Sequence, residues 1–228
     1  NDMELEDELG DILEKARDGK GWSQADLAKS TGIVLEDIVR IENYEWIPEE
    51  GIIFQIAHFL DLHGPSLVAI AKDKWFPKKI TPDPGHFDIT CLNVFMGSYP
   101  VNCYLLTCRE TRSTAIIDTG ANPEAIIQKI RSLDVKPEMI LLTHTHPDHA
   151  GGLDQLDEEF GCPTWVDKIE PRPSGSRDLR LIEEGDSIML GKLKIETIPT
   201  RGHTPGGISF KVNHSVISGD AIFAGSMG

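Results

Sequence analysis

The chain has 228 residues, enough for one large domain or two smaller ones, and 39% of them are hydrophobic. Its formal net charge of -15 argues against a protein that coats nucleic acid or binds an anionic membrane. No apolar run approaches the roughly eighteen residues needed to span a bilayer, and the four cysteines form no CxxC pair. We therefore expect a cytoplasmic protein with free thiols.

The N-terminal third is predicted to be helical, because apolar residues recur there at a spacing of three and four. Ser23 is predicted to cap the second helix, and the Gly32 turn to end it. The predicted helices span 5–17, 24–29, 34–44, 51–60 and 67–71.

This region resembles the helix-turn-helix domain of the lambda-repressor and Cro-like family. The resemblance implies an all-α helix-turn-helix bundle over residues 1–76, in which the third helix would lie in the DNA major groove. It also implies that the chain forms a homodimer. The matching residues are Trp22-Ser23-Gln24-Ala25-Asp26-Leu27-Ala28, the turn at Gly32, and Arg40-Ile41-Glu42.

The charge of this region disfavours DNA as its partner. The third helix begins Val34-Leu35-Glu36-Asp37, which offers carboxylates where base and phosphate contacts need donors. Residues 1–76 contain 17 Asp and Glu against 7 Lys and Arg, so they would repel phosphates. We predict a packing or interaction module, and keep a DNA-binding regulator as the less favoured alternative.

Residues 77–86 are predicted to be a linker, because three prolines and a glycine fall within 77–85. Beyond it, residues 87–228 show mainly strand patterns. Helices are predicted at 123–133 and 153–160. The predicted strands span 87–96, 101–107, 114–118, 138–142, 163–166, 187–190, 193–198, 208–212 and 215–217.

The chemistry is concentrated after the buried strand that ends at Leu142. His144 and His146 are two apart, so an extended backbone points both imidazoles to one side. Pro147 then turns the chain, which lets Asp148 and His149 approach from another direction. Imidazole and carboxylate ligands together favour zinc, iron or a similar cation over calcium or magnesium.

Three further residues follow predicted strands. Asp118 could orient a ligand histidine by a hydrogen bond, or it could cap the helix at 123; the sequence leaves both open. His203 lies in a glycine-rich turn. Asp220 follows the last predicted strand, where a two-metal site would use a carboxylate as a bridge.

The ordered ligands resemble those of the metallo-β-lactamase superfamily, nearest to its glyoxalase II-like hydrolases. The resemblance implies an α+β chain whose second domain is an αβ/βα sandwich. That domain is expected to be truncated, because the last strand, the last helix and one later histidine ligand would lie beyond Gly228. The matching motifs are His144-x-His146-x-Asp148-His149, Gly202-His203-Thr204-Pro205-Gly206, and Gly219-Asp220 with Phe223-x-Gly225-Ser226.

Carried over by position, the resemblance implies two zinc ions, with iron or manganese as alternatives. His144, His146 and His203 would hold the first ion, and Asp148 and His149 the second. Asp220 would bridge the two ions, and it and Asp148 are the candidate catalytic carboxylates. A hydroxide between the ions would attack the substrate carbonyl.

The leading prediction is therefore hydrolysis of a small thioester or related ester. Persulfide oxidation at one iron held by His144, His203 and Asp220 is a second enzymatic alternative. The third is a transcription regulator whose second domain senses a metal or metabolite.

Overall fold

The computed structural model describes residues 7–75, 86–97, 99–223 and 226–228. The chain divides into two compact units, Asn1–Lys79 with Ile222–Met227, and Ile80–Ala221 with Gly228. The predicted linker, except for His86, lies outside the described residues, as does Gly225. None of the described helices has the length and apolar character needed to cross a bilayer. The four cysteines are free, as predicted.

In its described residues, the first unit is a bundle of five helices around an apolar core. Helix α1 contributes Leu9, Ile12 and Leu13 to that core, at the spacing that a buried helical stripe requires. The last helix begins three residues earlier than predicted, because Pro65 occupies its first turn, where its missing N–H costs nothing. The helices are α1 (Leu9–Gly19), α2 (Gln24–Thr31), α3 (Leu35–Glu42), α4 (Glu50–Leu60) and α5 (Gly64–Ala71).

Local signals fix both ends of α2. The Ser23 hydroxyl accepts the Asp26 N–H at 3.2 Å, and the Asp26 carboxylate accepts the Ser23 N–H at 2.9 Å. This reciprocal cap satisfies two donors that the helix leaves open. At the other end Gly32 has φ +72, a left-handed conformation that glycine adopts without strain. The capping role predicted for Ser23 is confirmed.

A buried ion pair joins α1 to α3 in this unit. Arg17 donates to both carboxylate oxygens of Glu42, at 2.8 and 3.0 Å, and the two residues are only 6% and 4% exposed. Gln24 donates to the same carboxylate at 2.8 Å. The hydrogen bonds and charge of Glu42 raise the pKa of the Arg17 guanidinium, so the guanidinium stays charged in the fold.

The second unit contains a six-stranded sheet in which the strands keep their chain order. The first three strands pair antiparallel, and the third to sixth pair parallel. Parallel strands end at the same edge, so the segments that follow them converge there. The strands are β1 (Phe87–Met96), β2 (Tyr99–Cys108), β3 (Ser113–Ile117), β4 (Lys136–Leu141), β5 (Thr164–Asp167) and β6 (Leu179–Ile182).

A second, antiparallel sheet packs on the first through a shared apolar core. Ile188 and Leu190 point into this core, while Met189 between them is exposed on the outer face. Helices α6 (Glu124–Leu133) and α8 (Leu153–Phe160) cover the opposite face of the six-stranded sheet. The strands of the second sheet are β7 (Ser187–Leu190), β8 (Leu193–Pro199), β9 (Ile208–Val212) and β10 (Ser215–Ile217).

Two elements depart from the sequence prediction. The prediction left Leu179–Ile182 outside any strand, but these residues form β6, a short strand with only Ile182 fully buried. Pro147, predicted only as a break, begins the short helix α7 (Pro147–Ala150), because proline is favoured at a first helical position. A two-stranded hairpin, β11 (Ile222–Phe223) and β12 (Ser226–Met227), groups with the first unit.

Candidate metal centre

The candidate site lies where β4 ends. The chain leaves the strand at Leu141, and His144 and His146 follow outside regular secondary structure before Pro147 begins α7. The backbone of His146 is extended. Asp148 and His149 lie within α7, directly after Pro147.

Three histidines from two loops form the first potential ligand set. One ligand atom from each of His144, His146 and His203 lies within 4.8 Å of the others. His203 Nε2 is 2.9 Å from His146 Nδ1, and the two ring centroids are 4.7 Å apart. His203 follows β8 in the second sheet, so this set joins the two layers of the unit.

A second potential set consists of His144, His149 and Asp220, again within 4.8 Å. His149 Nε2 lies 3.0 Å from one Asp220 oxygen, and His203 Nε2 lies 3.5 Å from the other. Asp220 thus stands between the two sets, each of its oxygens near a histidine of a different set. Asp148 belongs to neither set among the described residues, although its carboxylate is 3.8 Å from His149 Nε2.

Asp118 orients His149 of the second set. Its carboxylate, 1% exposed, accepts the Thr143 N–H at 2.8 Å, the Thr143 hydroxyl at 2.7 Å and His149 Nδ1 at 2.9 Å. The Glu124 N–H at the start of α6 donates to Asn122 Oδ1 at 3.4 Å rather than to Asp118. Of the two roles that the sequence left open for Asp118, the structure therefore favours orientation of a histidine.

The hydrogen bonds fix the ring orientation of each buried histidine. Because the Thr143 hydroxyl donates to Asp118, His144 Nδ1 at 3.1 Å from that hydroxyl carries a hydrogen and donates to it. His144 Nε2 is then a bare acceptor, and it is buried with no hydrogen-bond partner among the described residues. His149 likewise donates from Nδ1 to Asp118, so its Nε2 faces the site.

These environments shift the pKa values of His144 and His149 in opposite directions. Burial, reinforced by the neighbouring His149, lowers the pKa of His144 to about 4. Burial would also lower the pKa of His149, but Asp118 and Asp220 outweigh it and raise that pKa to about 10. Burial opposes ionisation of Asp220, but its hydrogen bond to His149 keeps the pKa of Asp220 below its ordinary value.

The site fits a cation of the zinc or iron type. A buried imidazole nitrogen without a partner is costly unless something binds it, and His144 Nε2 is shared by both ligand sets. The surrounding donors are imidazole nitrogens and carboxylate oxygens, which suit zinc and iron.

Sequence reasoning did not identify Glu170. This residue follows β5, is 6% exposed, and its carboxylate accepts hydrogen bonds from Thr145 and from the Gly206 N–H. The only signal in the sequence is its position shortly after a buried strand, the position that Asp118 also occupies after β3.

Comparison with known proteins agrees with this geometry. The family model of the metallo-beta-lactamase superfamily matches residues 96–228. The fold and site define a metallo-hydrolase, and the chain belongs to the metallo-beta-lactamase superfamily.

Two curated relatives match over 152 residues, 58% of this chain and 71% of each relative. The probable metallo-hydrolase YqgX of Bacillus subtilis (strain 168) is 34% identical. The hydroxyacylglutathione hydrolase GloC of Haemophilus influenzae is 33% identical. A crystal structure of TTHA1623 in a di-iron-bound form has 27% identity and a TM-score of 0.51, over 60% of this chain and 75% of that one.

Proposed function

We propose that this chain hydrolyses a small thioester or related ester with the help of two bound metal ions. The observation that carries the proposal is the pair of ligand sets that share His144, whose buried Nε2 has no partner among the described residues. The relative from Haemophilus influenzae is named a hydroxyacylglutathione hydrolase, which supports a thioester as the substrate class.

In this proposal His144, His146 and His203 hold the first ion. Asp148 and His149 hold the second, and Asp220 bridges the two. Zinc is the first choice, with iron or manganese as alternatives; the di-iron form of a related structure is compatible with iron. The placement of Asp220 between the sets supports its bridging role.

When bound, such ions act as Lewis acids and make a water-derived nucleophile available near neutral pH. The protein's own groups fix where that chemistry occurs. Asp118 holds the ring of His149 with Nε2 facing the site, and Thr143 does the same for the ring of His144. Asp148 is partly exposed, with its carboxylate 3.8 Å from His149 Nε2, and would be the group that accepts a proton from the nucleophilic water.

Metal analysis combined with a thioester panel tests this proposal. The purified chain should contain about two zinc or iron ions. His146→Ala should lower both metal content and turnover, because His146 belongs to the first set. His58→Ala, at an exposed position on α4, is the matched control and should change neither.

Undiminished hydrolysis by metal-free protein would contradict the proposal. Oxygen uptake with glutathione persulfide, without thioester hydrolysis, would instead support the dioxygenase alternative.

We further propose that α1–α5 form a helix-turn-helix module used for packing or interaction rather than for DNA. The arrangement of α2, the left-handed Gly32 and α3 supports the helix-turn-helix, and the exposed Glu36 at the start of α3 argues against phosphate contact. Sequence-selective, salt-sensitive binding of the chain to DNA would overturn this second proposal.

A further inference from the structure

His144 lies between two threonines that buried carboxylates hold in the same way. Thr143 gives both its N–H and its hydroxyl to Asp118, at 2.8 and 2.7 Å. Thr145 gives both its N–H and its hydroxyl to Glu170, at 3.0 and 2.9 Å. The two carboxylates come from the segments after β3 and β5, which flank β4 in the sheet. The backbone of His144 is therefore fixed from both sides.

The second oxygen of Glu170 reaches the other ligand loop. Oε1 accepts the Gly206 N–H at 2.8 Å, three residues after His203, while Oε2 takes both bonds from Thr145. Gly206 is buried, and a Cβ there would lie 2.6 Å from Glu170 N and 2.8 Å from Glu170 Cγ. Glycine at 206 is thus what lets the loop approach the carboxylate so closely.

We propose that Glu170 is a positioning residue that aligns His144, His146 and His203 before the metal binds. It ties the loop carrying the first two histidines to the loop carrying the third. Asp118 has the corresponding role for His149, and the two carboxylates together fix His144, which both ligand sets share. The inference rests on the proposed metal function, but it concerns the affinity of the first ligand set for its metal ion rather than the hydrolysis reaction.

The physical reason is preorganisation. Without Glu170, the metal itself would have to order the two loops. The conformational entropy lost in that ordering would make the free energy of metal binding less favourable. Groups that orient metal ligands through hydrogen bonds typically contribute about 10–100-fold to metal affinity. Glu170 acts one step further away, on the backbone of the ligand loops, because its partners are Thr145 and Gly206.

The test is a zinc titration against a chromophoric chelator, using the full chain. The binding step lost in His146→Ala identifies the first set, because His146 belongs to that set alone. Glu170→Gln keeps the size of the side chain but can present an oxygen to only one of the two loops. We expect it to weaken that step by about 10–100-fold and to change any second step by less than about threefold.

Asp157→Asn is the matched control for loss of a buried carboxylate. Asp157 is 3% exposed and pairs with Arg177 rather than with a ligand loop. Asp157→Asn should leave zinc binding by the first ligand set unchanged, even if it lowers stability as much as Glu170→Gln does. Equal zinc losses in the two variants, or wild-type affinity in Glu170→Gln, would overturn the inference.

A milder pair of variants covers the case in which Glu170→Gln does not fold. Thr145→Val removes only the hydroxyl bond to Glu170, and Thr145→Ser retains it. Weaker zinc binding in the valine variant with recovery in the serine variant supports the inference, and equal affinities overturn it. The zinc titration needs no substrate, so a chain that binds zinc but hydrolyses no thioester would refute only the proposed reaction.

Discussion

Glu42 in the helical unit and the carboxylates behind the candidate metal centre are buried in two different ways. In the helical unit, Glu42 is paired with the guanidinium of Arg17, and its charge is neutralised where it lies. In the other unit, Asp118 accepts hydrogen bonds from backbone, hydroxyl and imidazole groups, and Glu170 from backbone and hydroxyl groups. Their described hydrogen bonds include none from Lys or Arg.

The difference indicates what each carboxylate is for. The bonds of Arg17 and Glu42 join α1 and α3, with Gln24 of α2 as a further donor, and no described bond of the pair leads to an unsatisfied group. The network of Asp118 instead continues through Thr143 to His144, whose Nε2 remains buried and open. A hydrogen-bond network that leaves one buried nitrogen unsatisfied holds that nitrogen in place to bind a ligand.

Metal removal should produce the largest difference between the two units, because it should abolish hydrolysis and leave the helical unit folded. Treatment with a zinc chelator should reduce thioester hydrolysis to the background rate, because every proposed catalytic step depends on the bound ions. The helical circular-dichroism signal should persist, since the core of α1–α5 contains none of the site residues. Added zinc should restore the rate. Collapse of the helical signal on chelation would show that the comparison between the units is wrong.

Breaking the ion pair should have the next largest effect, on stability alone. Arg17→Met leaves the buried Glu42 charge without its partner, which we expect to cost about 3–5 kcal/mol of unfolding free energy in urea. Replacing both residues, as Arg17→Met with Glu42→Leu, should recover most of that loss. Lys72→Met, which breaks the exposed pair with Glu50, is the control and should shift the transition far less. Equal losses of unfolding free energy in Arg17→Met and Lys72→Met would contradict a special role for burial.

Asp118→Asn should lower function more than stability. The carboxylate accepts the Thr143 N–H on one oxygen, and the Thr143 hydroxyl and His149 Nδ1 on the other. The amide has only one acceptor oxygen, so either the backbone of Thr143 or the ring of His149 loses its hydrogen bond. We expect zinc affinity or hydrolysis to fall by about 10–100-fold. Asp88→Asn, at an exposed β1 carboxylate paired with Arg109, should leave both unchanged. Wild-type zinc binding in Asp118→Asn would remove the orienting role assigned to Asp118.

The smallest expected effect concerns the α2 cap. Ser23→Ala removes the acceptor for the Asp26 N–H and should cost about 1 kcal/mol of unfolding free energy, with hydrolysis unchanged in the folded protein. Ser30→Ala, near the other end of α2, should cost much less, because alanine is the better helix former there. A loss of hydrolysis in Ser23→Ala would mean that the site depends on the helical unit.

Local signals account for the parts of the fold that the sequence predicted well. The bounds predicted for β1, β9 and β10 agree with the structure, because apolar runs there are delimited by turn residues. The strand β6 was missed, since Leu179–Ile182 buries only Ile182 fully and is held by parallel pairing with β5, which no local pattern reveals. The helix α7 was missed because a proline inside a strand-like stretch indicates a break as readily as a helix start.

The sequence by itself determined the types of ligand and their order along the chain, because histidine spacing and strand ends are local features. Only the tertiary structure decided which ligands meet. Asp118, His144 and Glu170 converge because β3, β4 and β5 are parallel and end at one edge. His203 and Asp220 join them from the second sheet, which packs over the same core. The role of Glu170 depends on three bonds to residues 25 and 36 positions away, and long-range geometry of that kind leaves no periodic trace in the sequence.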